Sequence, residues 1–125
     1  MQAYQRINIL SALKTAFTEV STSIVFTDRP SATTTQKDSF AVIKLGSTEN
    51  QGAYGDSYVT VRLFAKDLNG LENCSVLATM EASLYQSLPI NNSLFYTQNY
   101  SSLESKSDGN GFHYLTIYFD LILKY

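Results

Sequence analysis

Few residues in this chain could do chemistry, and they are widely spaced. His113 is the single histidine and Cys74 the single cysteine. His113 follows Phe112 in an alternating apolar run, without a cysteine or carboxylate at metal-ligand spacing. That predicts a strand histidine, at the surface or partly buried. Cys74 lies at helical spacing from Leu71, Leu77 and Ala78, which predicts a buried, inert thiol. Asp56, Asp67 and Asp108 lie beside glycine or asparagine, where turn roles outweigh metal binding. Gly46, Gly52 and Gly55 do not form a phosphate-cradling pattern, and no lysine follows at the required place. No Ser/His/Asp or Cys/His constellation is present. The expectation is a protein that is not an enzyme, with no cofactor and no metal.

Glu81 stands apart. On a helical wheel, Leu71, Cys74, Leu77, Ala78, Met80, Ala82, Leu84, Tyr85 and Leu88 share one arc, wider than a helix on a sheet requires. Glu81 falls inside it, and a carboxylate there needs water or a cation. Either the arc meets another subunit that supplies a lysine or arginine, or Glu81 reaches solvent at the open end of the groove. Arg62 and Lys66 are the nearby cations, and either could serve a neighbouring copy.

The elements around these residues follow from periodicity. Ser57–Asp67 alternates, with Tyr58, Thr60, Arg62 and Phe64 on one face and Val59, Val61 and Leu63 on the other, which predicts a strand. Asn69-Gly70 punctuates the chain before the helix, and Pro89 closes that helix. An amphipathic helix is predicted over residues 4–20, with Ile9, Leu10, Leu13, Phe17 and Val20 on one face. Short strands are predicted over Ser23–Asp28 and Phe40–Leu45, with an exposed loop over Ser31–Ser39. Residues 46–57 read as a long, mobile loop able to order against a partner. Leu94–Leu103 reads as a weak strand, and Asp108–Gly111 as a tight turn. Phe112–Tyr125 is the most apolar strand and belongs in the sheet interior. The strands at 23–28 and 94–103 are the edge candidates. The predicted fold class is α+β: an antiparallel or mixed sheet of about five strands with two helices packed on it, in the order α-β-β-β-α-β-β.

Composition bounds the function. The 125 residues suit a single α+β domain spanning 1–125 with a real core. The net charge is −2 with no Lys/Arg run, which argues against strong phosphate binding to nucleic acid. No apolar run is long enough for a bilayer, so no membrane partner is expected. The N-terminus has no secretory pattern, and one cysteine agrees with a reducing compartment. Nine tyrosines and no tryptophan give rigid rings with polar tips, a composition compatible with an assembly subunit.

The segments YVTVRLFAKD, NGLENCSVLATMEASLYQSLP and DGNGFHYLTIYFDLIL, with the opening helix and FTDRP, resemble the tail terminator and tail-to-head joining proteins of long-tailed bacteriophages. The resemblance spans nearly the whole chain. It implies an α+β structural virion protein, in the tail or neck, assembled in the host cytoplasm. It implies a homo-oligomeric ring, commonly a hexamer, that contacts a tail tube protein and a head connector protein. DNA would pass through its lumen without specific binding. The candidate interface residues are Glu81, Arg62 and Lys66, with Glu49, Tyr54 and Asp56 from the 46–57 stretch. The alternative is a non-catalytic adaptor or inhibitor-type module that binds through that stretch.

Overall fold

The structure, a computed structural model, describes residues 3–17, 24–25, 39–46, 49–50, 54–109 and 111–124. In chain order these form α1 (Ala3–Ala16), β1 (Ile24–Val25), β2 (Phe40–Leu45), β3 (Glu49–Asn50), β4 (Tyr54–Lys66), α2 (Cys74–Gln86), β5 (Phe95–Ser107) and β6 (Phe112–Lys124). The sheet runs β1-β2-β4-β6-β5, and β3 pairs with β4 beside this path. β1 is parallel to β2, and every other pairing is antiparallel. The class is α+β, with two helices on a mostly antiparallel sheet.

Two expectations about the strands need correction. Four strands, not three, precede α2, because Glu49 and Asn50 pair with Asp56 and Gly55. Within the stretch expected as one loop over 46–57, Glu49–Asn50 and Tyr54–Ser57 are therefore paired strand. Tyr54, Gly55, Asp56 and Ser57 pair along β6 from Lys124 to Leu121. Their glycine-rich composition is outweighed by the apolar strand beside them. The ladder offers each backbone group a partner that an isolated segment lacks. Residues 18–23, 26–38, 47–48 and 51–53 lie outside the described residues, and with them most of the expected 31–39 loop and of the 23–28 strand.

β4 and β6 are each 13 residues long and pair from Tyr54↔Lys124 to Lys66↔Phe112. Their alternation divides the sheet into two faces. On one, Ala41, Ile43, Val59, Val61, Leu63, Ile117, Phe119 and Leu121 meet Ile9, Leu13 and Phe17 of the α1 segment and Met80 and Leu84 of α2. Each such large side chain contributes roughly 1.5–3 kcal/mol on burial. β6, the most apolar strand, lies between β4 and β5, inside the sheet as expected. β1 and β5 are its edges.

The other face carries a second, smaller cluster at one end. Phe40, Val42, Phe64 and Phe112 are buried there with Tyr114 against them. Phe40 and Phe64 face each other in the β2–β4 register, with ring centroids 4.6 Å apart and planes 4° from parallel.

α2 starts at Asn73, whose side-chain oxygen accepts from the Val76 amide at 3.3 Å. Such a cap contributes about 1 kcal/mol. The helix buries Leu77, Met80 and Leu84. The broad arc read from the sequence splits in two, because the helix has one sheet beneath it. Leu77, Met80, Leu84 and Leu88 are buried, whereas Leu71, Cys74, Ala78 and Ala82 are exposed. Cys74 is thus an exposed thiol and not the buried one expected.

Candidate interaction surfaces

The turn between β4 and α2 is the most apolar protrusion of the described residues. Leu68 and Leu71 exchange backbone hydrogen bonds, Leu68 N to Leu71 O at 2.8 Å and Leu71 N to Leu68 O at 3.0 Å. Asn69 and Gly70 between them have φ of 54° and 77°. This is the turn that Asn-Gly favours, since both central positions require positive φ. It leaves the two leucines opposite one another with 62% and 72% of their surfaces exposed. The two hydrogen bonds set the leucines side by side at the tip of the turn.

At the far end of the same strands lies an open depression of about 430 Å³ lined by Asp56, Ser57, Tyr58, Gln98, Asp120, Leu121 and Ile122. Tyr58 and Asp120 face each other in the β4–β6 register. Tyr58 is half exposed, and Asp120 accepts from the Asn99 amide group at 3.0 Å. Asn99 sits at a β-bulge with φ of 58°, where the β5–β6 register shifts between Gln98 and Ser101. Ser57 is buried and satisfied, because its hydroxyl donates to the Gly46 carbonyl at 3.4 Å. Between the depression and the turn, the face opposite the helices carries Arg62 and Tyr118, both exposed, with Thr60 and Thr116 partly buried beside them. The Arg62 guanidinium lies 5.6 Å from the Tyr114 ring centroid.

The six residues expected at an interface do not form one site. Asp56 lines the depression. Glu49 pairs with it, and Tyr54 pairs with Lys124, at the same end of the sheet. Lys66 is ten positions along β4, about 33 Å away at strand spacing. Arg62 and Lys66 are exposed on the face opposite the helices, whereas Glu81 is half-buried on α2, across the sheet. Neither cation can therefore meet Glu81 within one chain. Tyr58, Gln98, Asp120 and Ile122 were not singled out by the sequence. The signal was present in β6, where Tyr118, Asp120 and Ile122 alternate with the core residues.

Two chemically suggestive groups have structural partners. His113 Nδ1 lies 2.6 Å from Asp67 Oδ1, both partly buried. The sequence placed Asp67 in a turn role and missed this pair. The Glu72 carboxylate beside Cys74 pushes its thiol up from the ordinary value, first by charge and then by hydrogen bonding. Glu72 also accepts from the Ser105 hydroxyl. An upshifted thiol is a poor nucleophile at neutral pH despite its exposure. Asp108 does cap its turn, accepting from the Phe112 amide at 3.1 Å. Among the described residues no three His, Cys, Asp or Glu side chains gather as a metal site would need. No helix among them is long and apolar enough to cross a membrane.

These features define an α+β domain whose distinctive surfaces, among the described residues, are an open depression on the sheet and an apolar turn. No family model and no curated protein matches the sequence. The fold is similar to that of a chain in a solved structure described as the virion of a native gene transfer agent particle. The TM-score is 0.51, the identity 11%, and the match covers 98% of this chain and 91% of that chain. At that identity the likeness is one of fold.

Proposed function

We propose that the chain is a non-catalytic structural protein of a phage or phage-like virion, acting as a ring-forming tail terminator or head–tail joining subunit. The observation that carries the reading is the likeness of fold, end to end, to a chain of a gene transfer agent virion. It agrees with the resemblance of the sequence to tail terminator and joining proteins. The surfaces are compatible with it, since a ring subunit needs two different patches that meet on successive copies. On this reading the partners are further copies of the chain, a tail tube protein and a head connector protein. The site of action is the virion.

The test is made on particles. Mass spectrometry of purified particles from the producing strain should find the chain at a fixed ratio to the tail tube protein. A strain lacking it should accumulate unjoined heads and tails, or tails of uncontrolled length. Particles that are complete and infectious without the chain would overturn the proposal.

A further inference from the structure

We infer that the chain associates head to tail with a second copy of itself, the Leu68–Leu71 turn of one copy seating in the depression bounded by Asp56, Tyr58, Asp120 and Ile122 of the next. The inference deepens the ring-subunit reading and rests on it only for closure of successive copies into a ring.

Shape comes first. The turn presents two leucines from one rigid hydrogen-bonded pair, the most exposed large apolar side chains among the described residues. Residues directly opposite in such a pair project on the same side. The depression has a volume of about 430 Å³, within the range of roughly 300–1,000 Å³ that encloses ligand-sized bodies. Tyr58 and Ile122 give it apolar walls.

Charge agrees with shape. Toward the turn, Lys66 and Lys106 are exposed on the face opposite the helices, with no hydrogen-bond or ion-pair partner among the described residues. The carboxylates nearest the turn are engaged, Asp67 with His113 and Glu72 with Ser105. The depression has the reverse balance. Asp56 has no side-chain partner among the described residues, and Asp120 accepts a single amide bond. Of the cations toward that end, Lys124 donates to Asn91 Oδ1 at 2.7 Å and to the Asn92 carbonyl at 2.8 Å, and Lys44, opposite Thr60, is also engaged. Lys66 and Lys106 thus stand toward the turn, with a single exposed carboxylate, Glu104, two residues from Lys106, and Asp56 and Asp120 stand at the other end.

Geometry excludes a contact within one chain. From Ser57 to Leu68 the strand spans about 36 Å, so turn and depression face opposite ways along the molecule. A contact between them is heterologous and repeats from copy to copy. A second copy is favoured over a foreign partner because both complementary halves are on this chain.

The experiment is sedimentation velocity across the micromolar range, at low and high salt, on wild type and three double variants. These are Leu68→Ser with Leu71→Ser, Lys66→Glu with Lys106→Glu, and Asp56→Lys with Asp120→Lys. All six positions are exposed or only partly buried, and thermal melts by circular dichroism verify folding. Wild type should associate more weakly as salt rises. Each variant alone should associate at least about tenfold more weakly. Mixing the two charge-reversed variants should restore association, because both kinds of contact then pair opposite charges. A wild type that is monomeric throughout overturns the inference. So does association that survives in the leucine variant, or a mixture no better than its components. If oligomers persist in every variant while the chain is required in particles, the contact lies elsewhere and the ring-subunit reading stands. If the chain is dispensable in particles but the mixture rescues association, that reading falls and this inference stands.

Discussion

His113 and Asp67 are 46 residues apart in sequence, yet Nδ1 of one lies 2.6 Å from Oδ1 of the other. The β4–β6 ladder brings them together. Ala65 is in register with His113, and the Asp67 amide donates to the Gly111 carbonyl at 2.8 Å, carrying the pairing past the strand end. The pair fastens the open end of the long two-stranded core of the sheet. Its exposure is 23% for the histidine and 13% for the aspartate, so its contribution is that of a part-buried hydrogen bond. Asp67→Ala is expected to lower stability by about 1–2 kcal/mol. Urea denaturation of Asp67→Ala, His113→Ala and the double variant checks this. The double variant should lose less than the sum of the singles.

The second cluster predicts a large effect away from the helices. Phe64 is fully buried, stacked on Phe40 and 5.1 Å from the Tyr114 ring centroid. Phe64→Ala should cost about 3–5 kcal/mol, as much as Phe119→Ala on the helix side. Denaturant midpoints of the two variants make the comparison. A much smaller loss at Phe64 would show that only the helix-covered face holds the fold.

Gly46 and Tyr58 make a third test. The Gly46 amide donates to the Tyr58 carbonyl at 2.8 Å, and the Tyr58 ring lies over the glycine where a Cβ would stand. The ring is 51% exposed and can swing outward. Gly46→Ala is therefore expected to cost under about 1 kcal/mol, against the 1–3 of a clash in a close-packed core. Combining it with Tyr58→Ala should remove the clash, leaving the double variant no less stable than Tyr58→Ala alone in thermal melts.

Cys74 gives a prediction about reactivity. Its thiol is exposed, and the Glu72 carboxylate holds its pKa above the ordinary thiol value. A raised pKa leaves less thiolate at any pH below it, so alkylation by iodoacetamide at pH 8 should be slower than for a free cysteine. Glu72→Gln removes the negative charge, lowers the pKa and should speed the reaction at that pH. Rates measured against pH should show the inflection moving to lower pH in the variant. An unchanged profile would mean that Glu72 does not govern the thiol.

The sequence by itself determined the elements whose side chains repeat with one period and bury one face. Phe40–Leu45, the alternation of Tyr58–Lys66, the Leu77–Met80–Leu84 stripe and the apolar run from Phe112 all carry their structure in their spacing. The Asn69-Gly70 turn was equally legible, because few residue pairs accept two positive φ angles. Tertiary structure decided what depends on a neighbour. Tyr54–Ser57 has loop composition and becomes strand because β6 lies beside it. Cys74 and Ala82 read as core, yet are exposed because the sheet covers only one side of α2. Arg62 and Glu81 read as partners between copies, and the sheet that separates them within one chain is set by the tertiary structure. His113 meets Asp67, Asp56 stands opposite Ile122 and Tyr58 opposite Asp120, only through the register of two long strands. Spacing along the chain fixes which face a side chain takes within its element. The pairing of distant strands fixes what that face meets.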